Sequence, residues 1–204
     1  MLYSALLTEL KWLDHGFGTR ADSVPQEHMA SLKQIHSCVV LIGEHIGCAG
    51  EGDALVTASE GVPVSVRTAD CYPILLADGR NHAVAAVHAG WRGTAAQIVI
   101  RALEEMQRLY GTAAANVHAA IGPGIGACCY EVGAEVARQF GREEAGRIDL
   151  AAINRRQLLD AGVAGQRIDV LGGCTKCDAP LFHSYRRDRL AAGRMVSYIG
   201  RRGS

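Results

Sequence analysis

The stretch Cys71-Tyr72-Pro73-Ile74-Leu75-Leu76-Ala77-Asp78-Gly79-Arg80-Asn81-His82-Ala83-Val84-Ala85-Ala86-Val87-His88 decides the fold. Two apolar runs, 73–77 and 82–88, flank Asp78-Gly79-Arg80-Asn81, a composition that marks a turn. A β-hairpin follows. A loop of Gly79-Arg80, or of the four residues 78–81, gives one register, in which Ala77 faces His82 and Cys71 faces His88. A turn that paired residues 77 and 80 would break that geometry. Directly opposed residues carry Cβ atoms about 4.5–5.5 Å apart. A thiolate and an imidazole at that distance can share a metal ion, with Zn–S of about 2.3 Å and Zn–N of about 2.0–2.1 Å. They can equally form a thiolate–imidazolium pair.

Around the hairpin the apolar period alternates between strand and helix, the pattern of a mixed α/β domain. Residues 38–42 read as a short buried strand and 62–68 as an alternating one. Ala95, Ile98, Val99, Ala102, Leu103, Met106 and Leu109 form one stripe of a helix over 94–110, with Gly111 at its C-terminal cap. A strand over 116–121 runs into Gly122-Pro123-Gly124-Ile125-Gly126. Helices are expected at about 131–140 and 150–161, and strands near 167–171 and 194–200. The order is neither strict βαβ alternation nor all-β, so the sheets should be mixed rather than purely parallel.

With 204 residues the chain fits one domain. Its hydrophobic fraction of 49% excludes disorder and collagen-like structure. Lys+Arg and Asp+Glu are both 21, so no global field draws the chain to nucleic acid or to a membrane surface. No apolar run approaches the ~20 residues that span a bilayer. The first residues lack the pattern of a signal peptide, so a cytoplasmic address is expected. Seven cysteines, an odd number without a secretory signal, favour reduced, buried or metal-binding thiols over disulfides. After Tyr185 come Arg186, Arg187, Arg189, Arg194, Arg201 and Arg202 against the single acid Asp188. That run is either a solvated basic tail or an anion site.

The hairpin ends carry the chemistry. Cys71 closes Thr68-Ala69-Asp70-Cys71, and His88 opens His88-Ala89-Gly90-Trp91-Arg92-Gly93. The glycines allow close backbone approach, and Arg92 precedes a helix whose N-terminus favours an anion. The bland alternative is a buried free cysteine beside a satisfied histidine. A third ligand would complete an open zinc site. His15, His28, His36, His45, His82, His118 and His183 are the candidates, with His36 only weakly preferred by spacing.

Four phrases together resemble the YfiH-type family, long labelled multicopper polyphenol oxidase (laccase). They are Thr68-Ala69-Asp70-Cys71 with Pro73; His88-Ala89-Gly90-Trp91-Arg92-Gly93-Thr94; Ile121-Gly122-Pro123-Gly124-Ile125-Gly126 with Cys129-Tyr130-Glu131-Val132-Gly133; and Phe182-His183-Ser184-Tyr185-Arg186-Arg187-Asp188 after Cys174-Thr175. The likeness runs from about Gln34 to about Tyr198. Members have been described as zinc-containing purine nucleoside phosphorylases with adenosine deaminase activity, methylthioadenosine being a further substrate. The resemblance implies zinc ligands His36, Cys71 and His88. It also implies a single layered α/β domain with mixed β-sheets packed face to face and helices outside. Residues 1–33 depart from the family: a Gly-Gly-x-Ser phrase and an Asn-rich stretch are missing before Gln34, so one pocket wall should differ.

On this reading Zn²⁺ is the cofactor, copper being the alternative that the old label carries. Nucleoside and phosphate are the small-molecule partners, without nucleic acid or membrane. The sequence carries no signal of oligomeric state. Three-ligand zinc keeps a position for water and lowers its pKa to ≈ 7, which suits hydrolytic attack at purine C6. Phosphorolysis needs phosphate held at the ribose C1′. Arg92 is the expected anion contact, since a guanidinium fork matches phosphate, with Arg67 and Arg20 behind it. Asp70 could orient a ligand or act as a base, or simply cap a turn. Gly122 and Gly124 could cradle phosphate through backbone N–H groups, or serve tight packing. Cys174-Thr175-Lys176-Cys177 is a single CxxC without a second pair, and reads as structural. Cys128 and Cys129 read as packing residues, and His183 as a core or pocket-wall histidine. Three rival classes remain. One is a cysteine hydrolase with Cys71 as nucleophile and His88 as base. Another is copper-dependent phenol oxidation, which needs more clustered histidines than the scattered eight here. The third is a non-catalytic interaction protein.

Overall fold

Every residue of the strand over Tyr72–Asp78 is buried, as is every residue of its partner over Val84–Ala89. A strand reads as a continuous apolar run when both its faces are covered, and here both are. Ile74 and Leu76 point to one apolar cluster, shared with Ile98, Val99, Ala102 and Met106. Leu75 and Ala77 point to a second, shared with Phe17, Val64, Val66 and Ile199.

The computed structural model describes residues 1–203. Its strands are β1 (Leu13–Phe17), β2 (Ala30–Lys33), β3 (Val40–Ile42), β4 (Gly47–Glu51), β5 (Ala54–Thr57), β6 (Val64–Thr68), β7 (Tyr72–Asp78), β8 (Val84–Ala89), β9 (Val117–Ile121), β10 (Glu131–Val132), β11 (Gly146–Arg147), β12 (Ile168–Val170) and β13 (Met195–Arg201). Its helices are α1 (Ala5–Thr8), α2 (Trp91–Ala95), α3 (Ile98–Tyr110), α4 (Ala134–Ala137), α5 (Leu150–Asp160) and α6 (Tyr185–Asp188). One sheet runs β12-β9-β7-β8-β5-β3 and the other β1-β13-β6-β2-β4; β10 and β11 form a small ribbon. Both large sheets mix parallel and antiparallel pairs. They pack face to face, and α3 and α5 cover the outer face of the first. The expected layered α/β architecture with mixed sheets is therefore the one observed. Among the described residues no helix is long and apolar enough to cross a membrane.

Local chemistry explains where the elements end. Gly111 sits at φ 67 and caps α3, and Asp149 caps α5 by accepting the Ala152 N–H at 2.9 Å. The helix expected over 94–110 is broken, because Gln97 takes a left-handed backbone (φ 59) between α2 and α3. The helix expected over 131–140 shrinks to α4 and one tighter turn, with Glu131–Val132 diverted into the ribbon.

The hairpin register is corrected by two residues. Ala77 pairs with Val84, and Pro73, not Cys71, stands opposite His88. The cause lies in the loop. Asp78 Oδ1 accepts the N–H groups of Arg80 and Asn81 at 2.8 and 3.2 Å, and His82 adopts φ 57. Asp78 N–H then bonds to the Ala83 carbonyl at 2.8 Å, so the loop absorbs two more residues than a four-residue turn. Strand side chains alternate with period two, so a slip of two leaves Cys71 and His88 on one face.

Candidate metal centre

The segment between β2 and β3 is wrapped around one carboxylate. Asp53, fully buried at the entrance to β5, accepts the N–H groups of Ile35, His36 and Ser37 at 3.3, 3.0 and 2.6 Å, and the Ser37 hydroxyl at 2.7 Å. This holds His36 at φ 58. Gln34 fastens the same segment to β6: its amide donates to the Arg67 carbonyl and accepts the Arg67 N–H, each at 2.8 Å. Asp53 also lies 2.8 Å from His88 Nδ1 on β8.

Cys71, just before β7, completes the group. The donor atoms of His36, Cys71 and His88 all lie within 4.8 Å of one another. The two imidazoles meet edge to face with centroids 4.9 Å apart. Gly90 gives the cluster room, since a Cβ there would stand 2.9 Å from Cys71 Sγ and 3.5 Å from His36 Cδ2. One thiolate, two imidazoles and a carboxylate behind one ring make a donor set that fits zinc, with the carboxylate–histidine support such sites use.

The electrostatics agree with this. Burial pushes the Cys71 thiol up, but the His88 charge and hydrogen bonds from both histidines outweigh it and bring it to about 6. Burial pulls His88 down, yet Cys71 and Asp53 together raise it to about 9. Burial would also raise Asp53, but hydrogen bonds from His88 and Ser37 hold it near 2. Cys71 and His88 therefore form a thiolate–imidazolium pair near neutral pH when only protons compete for them.

This cluster lies in a cleft of about 640 Å³. Trp91, Tyr130 and Tyr185 supply aromatic faces, and Arg67, Arg186, Arg189 and Arg194 supply positive charge. Burial chiefly pushes the Tyr130 phenol up to about 12, so it stays a hydrogen-bond donor. The Arg186 guanidinium lies 5.4 Å over the Tyr130 ring. The basic run after Tyr185 is thus divided. Three of its arginines face the cleft, whereas Arg187 donates to the Thr175, Lys176 and Phe182 carbonyls and pairs with Asp188.

Several expected site residues lie elsewhere or are occupied. Arg92 is exposed and its guanidinium stacks at 4.2 Å over Trp91, a cleft residue, so it neighbours the cleft without lining it, and its charge reaches Tyr130. Arg20 is exposed and donates to the Ala179 carbonyl at 2.9 Å, away from the cleft. Gly122 and Gly124 are packing glycines, not a phosphate cradle. A Cβ on Gly122 would stand 2.2 Å from the Phe17 ring, and one on Gly124 2.7 Å from the Tyr72 ring. In the same loop the N–H groups of Gly122, Ile125 and Gly126 are taken by the Pro73 and Asp70 carbonyls and by Cys174 Sγ. Asp70 lines the cleft at φ 85, but its two oxygens accept from the Thr175 hydroxyl at 2.7 Å and the Arg186 N–H at 2.6 Å. It ties the wall together. Arg67 lines the cleft. Sequence reading missed Asp53, which announces itself only as a lone acid before a short apolar strand.

A sequence model of the family described as multi-copper polyphenol oxidoreductase laccase matches residues 18–202. The chain belongs to this family. Within the multi-copper polyphenol oxidoreductase laccase family, it is 44% identical over 185 residues to a protein of Deinococcus radiodurans named purine nucleoside phosphorylase, covering 85% of this chain and 70% of that one. It is 38% identical over 203 residues to adenosine deaminase RL5 of an unknown prokaryotic organism, covering 88% and 77%. The fold matches the crystal structure of the hypothetical protein YfiH of Bacillus licheniformis with a TM-score of 0.88 and 25% identity. That match covers 95% of this chain and 94% of that one, so the two are nearly equal in length.

Proposed function

We propose that this chain is a zinc-dependent purine nucleoside phosphorylase that also deaminates adenosine, with methylthioadenosine a further substrate for phosphorolysis. The observation that carries the reading is one cleft holding the His36–Cys71–His88 donor set beside Arg67, Arg186, Arg189 and Arg194. The names borne by the relatives support it. Its volume of about 640 Å³ lies within the usual range for small-ligand sites.

Zinc held by His36, Cys71 and His88 would supply Lewis acidity and water activation at that end of the cleft. The chain supplies the rest. Its cleft arginines neutralise a phosphate whose oxygen attacks the ribose C1′ as the C1′–N9 bond breaks. Trp91, Tyr130 and Tyr185 offer faces on which a purine stacks. Tyr130 keeps its proton and can donate to the base. Asp53 fixes the ring of His88 and the backbone of His36.

A second reading has one specific observation behind it. Cys71, His88 and Asp53 form a thiolate–imidazolium–carboxylate relay, the arrangement of a cysteine hydrolase. In it His36 serves only to help hold the Cys71 thiolate. Copper-dependent phenol oxidation is weaker: this donor set has two histidines, and the other metal-sized cluster among the described residues is all cysteine.

Adenosine incubated with the pure protein, with and without phosphate, separates these readings by chromatography. Adenine formed only with phosphate, inosine formed in either condition, and loss of both in Cys71→Ala are expected. No product in any condition would overturn the purine reading, and thiol-dependent ester or amide hydrolysis without metal would install the hydrolase.

A further inference from the structure

The second cysteine pair that the CxxC lacks in sequence is supplied by the fold. Gly124 bridges to Cys174 in parallel fashion, and Thr175 N–H donates to the Gly124 carbonyl at 3.0 Å. This lays the 122–133 loop against the turn that begins at Cys174. Cys128 and Cys129 thereby meet Cys174 and Cys177. The four sulfurs all lie within 4.8 Å of one another, with Cys128–Cys177 at 3.7 Å and Cys129–Cys177 at 3.3 Å. None is in a disulfide. Cys128 is exposed and so is not the packing residue expected, whereas Cys129 is half-buried and packs against the main apolar cluster as well as facing the other sulfurs.

We propose that Cys128, Cys129, Cys174 and Cys177 bind a second Zn²⁺ as a closed, structural tetrathiolate site. Zinc bound tetrahedrally at about 2.3 Å spaces its sulfurs roughly 3.8 Å apart, close to the spacing found here. Four thiolates with no open position hold structural rather than catalytic zinc. Thiolates at such a site need N–H donors and nearby positive charge. Gly126 N–H donates to Cys174 Sγ at 3.3 Å, and the Arg187 guanidinium is bonded to the Thr175 and Lys176 carbonyls within the turn.

Position gives the site its role. Ile125 and Tyr130, on the first loop, line the cleft, and so do Tyr185 and Arg186 beyond the second. Thr175, the residue after Cys174, bonds Asp70, which precedes Cys71. The cluster fastens two segments that contribute to the cleft wall. The inference does not depend on which reaction the cleft performs.

Cobalt(II) substitution tests it in a chain that lacks Cys71. In Cys71→Ser, thiolate-to-cobalt charge transfer with the visible bands of a tetrahedral site is expected, and zinc analysis should retain one Zn²⁺ per chain. In Cys71→Ser/Cys128→Ser/Cys177→Ser both signals should vanish. No charge transfer in Cys71→Ser would overturn the proposal without requiring any cluster variant to fold. Alkylation that finds these four cysteines as disulfides would overturn it too, and so would iron in place of zinc.

Discussion

Asp53 Oδ1 stands 2.8 Å from His88 Nδ1, and the same carboxylate accepts the backbone N–H groups of Ile35, His36 and Ser37. One buried acid therefore sets the ring orientation of His88 and the backbone of His36. An amide in its place has a single acceptor oxygen and turns an NH₂ toward N–H donors. Asp53→Asn should weaken zinc binding about 10–100-fold. It should also destabilise the metal-free fold by on the order of 3 kcal/mol. Chelator competition and urea unfolding measure the two effects. An affinity within error of the parent would mean that the carboxylate does not position the ligands.

The Cys71–His88 pair predicts a pH window for the metal-free protein. Cys71 has a folded pKa of about 6 against an ordinary 9.0, so its stabilisation is full above 9 and lost as pH falls through about 6. His88 has a folded pKa of about 9 against 6.5, so its stabilisation is full below 6.5 and lost as pH rises through about 9. The two effects share one attraction, so the pair contributes between about pH 6 and 9. Thiolate absorbance of chelated protein, taken as the difference from Cys71→Ser, should titrate near 6 and move upward in His88→Ala. A midpoint near 9 in the parent would refute the pair.

Gly90→Ala probes the tightness of the centre. The new Cβ would stand 2.9 Å from Cys71 Sγ, and it can be relieved only by moving the thiolate or the chain entering α2. Zinc affinity should drop by more than the stability of the metal-free protein, because the clash falls on the Cys71 sulfur rather than on packed core side chains. Gly122→Ala should do the reverse. Its Cβ meets Phe17 and Pro73 in the packed interior, and such overpacking costs about 1–3 kcal/mol. Equal losses of affinity in both variants would argue against a local role for Gly90.

How much of this was legible beforehand follows from what each signal measures. The β7–β8 hairpin was readable because apolar runs flank a turn composition. Its register was not, because that rests on the Asp78 side chain bonding two backbone N–H groups and on a left-handed His82. The face shared by Cys71 and His88 survived since side-chain parity tolerates a slip of two. Strands β1, β2, β4 and β5 escaped notice. Gly47-Cys48-Ala49-Gly50-Glu51 has no apolar period, and Ala54–Thr57 is too short to show one. Missing β5 meant missing Asp53 at its entrance. The four-cysteine cluster joins residues far apart in the chain through a single Gly124–Cys174 bridge, which no local pattern announces.

The cleft arginines separate an anion site inside the cleft from one at the start of α2. Arg186 is half-buried, with its guanidinium over Tyr130 and donating to the Glu131 carbonyl at 2.9 Å, and its backbone N–H on Asp70; Arg186→Ala removes the charge and the Glu131 contact and leaves the backbone tie intact. It should raise the KM for phosphate about 5–10-fold, the loss of one charged contact of about 1–1.5 kcal/mol. Arg67, Arg189 and Arg194 are exposed, and each should matter less, about two- to five-fold, because solvent screens them. The effects should shrink as salt rises. Arg92→Ala should change the KM for phosphate less than Arg186→Ala does, because its guanidinium is exposed, stacks over Trp91 and does not itself line the cleft. Steady-state phosphorolysis at several ionic strengths makes the comparison. A larger effect from Arg92 than from Arg186 would place the phosphate at the entrance to α2 and remove the arginine cluster from the reaction.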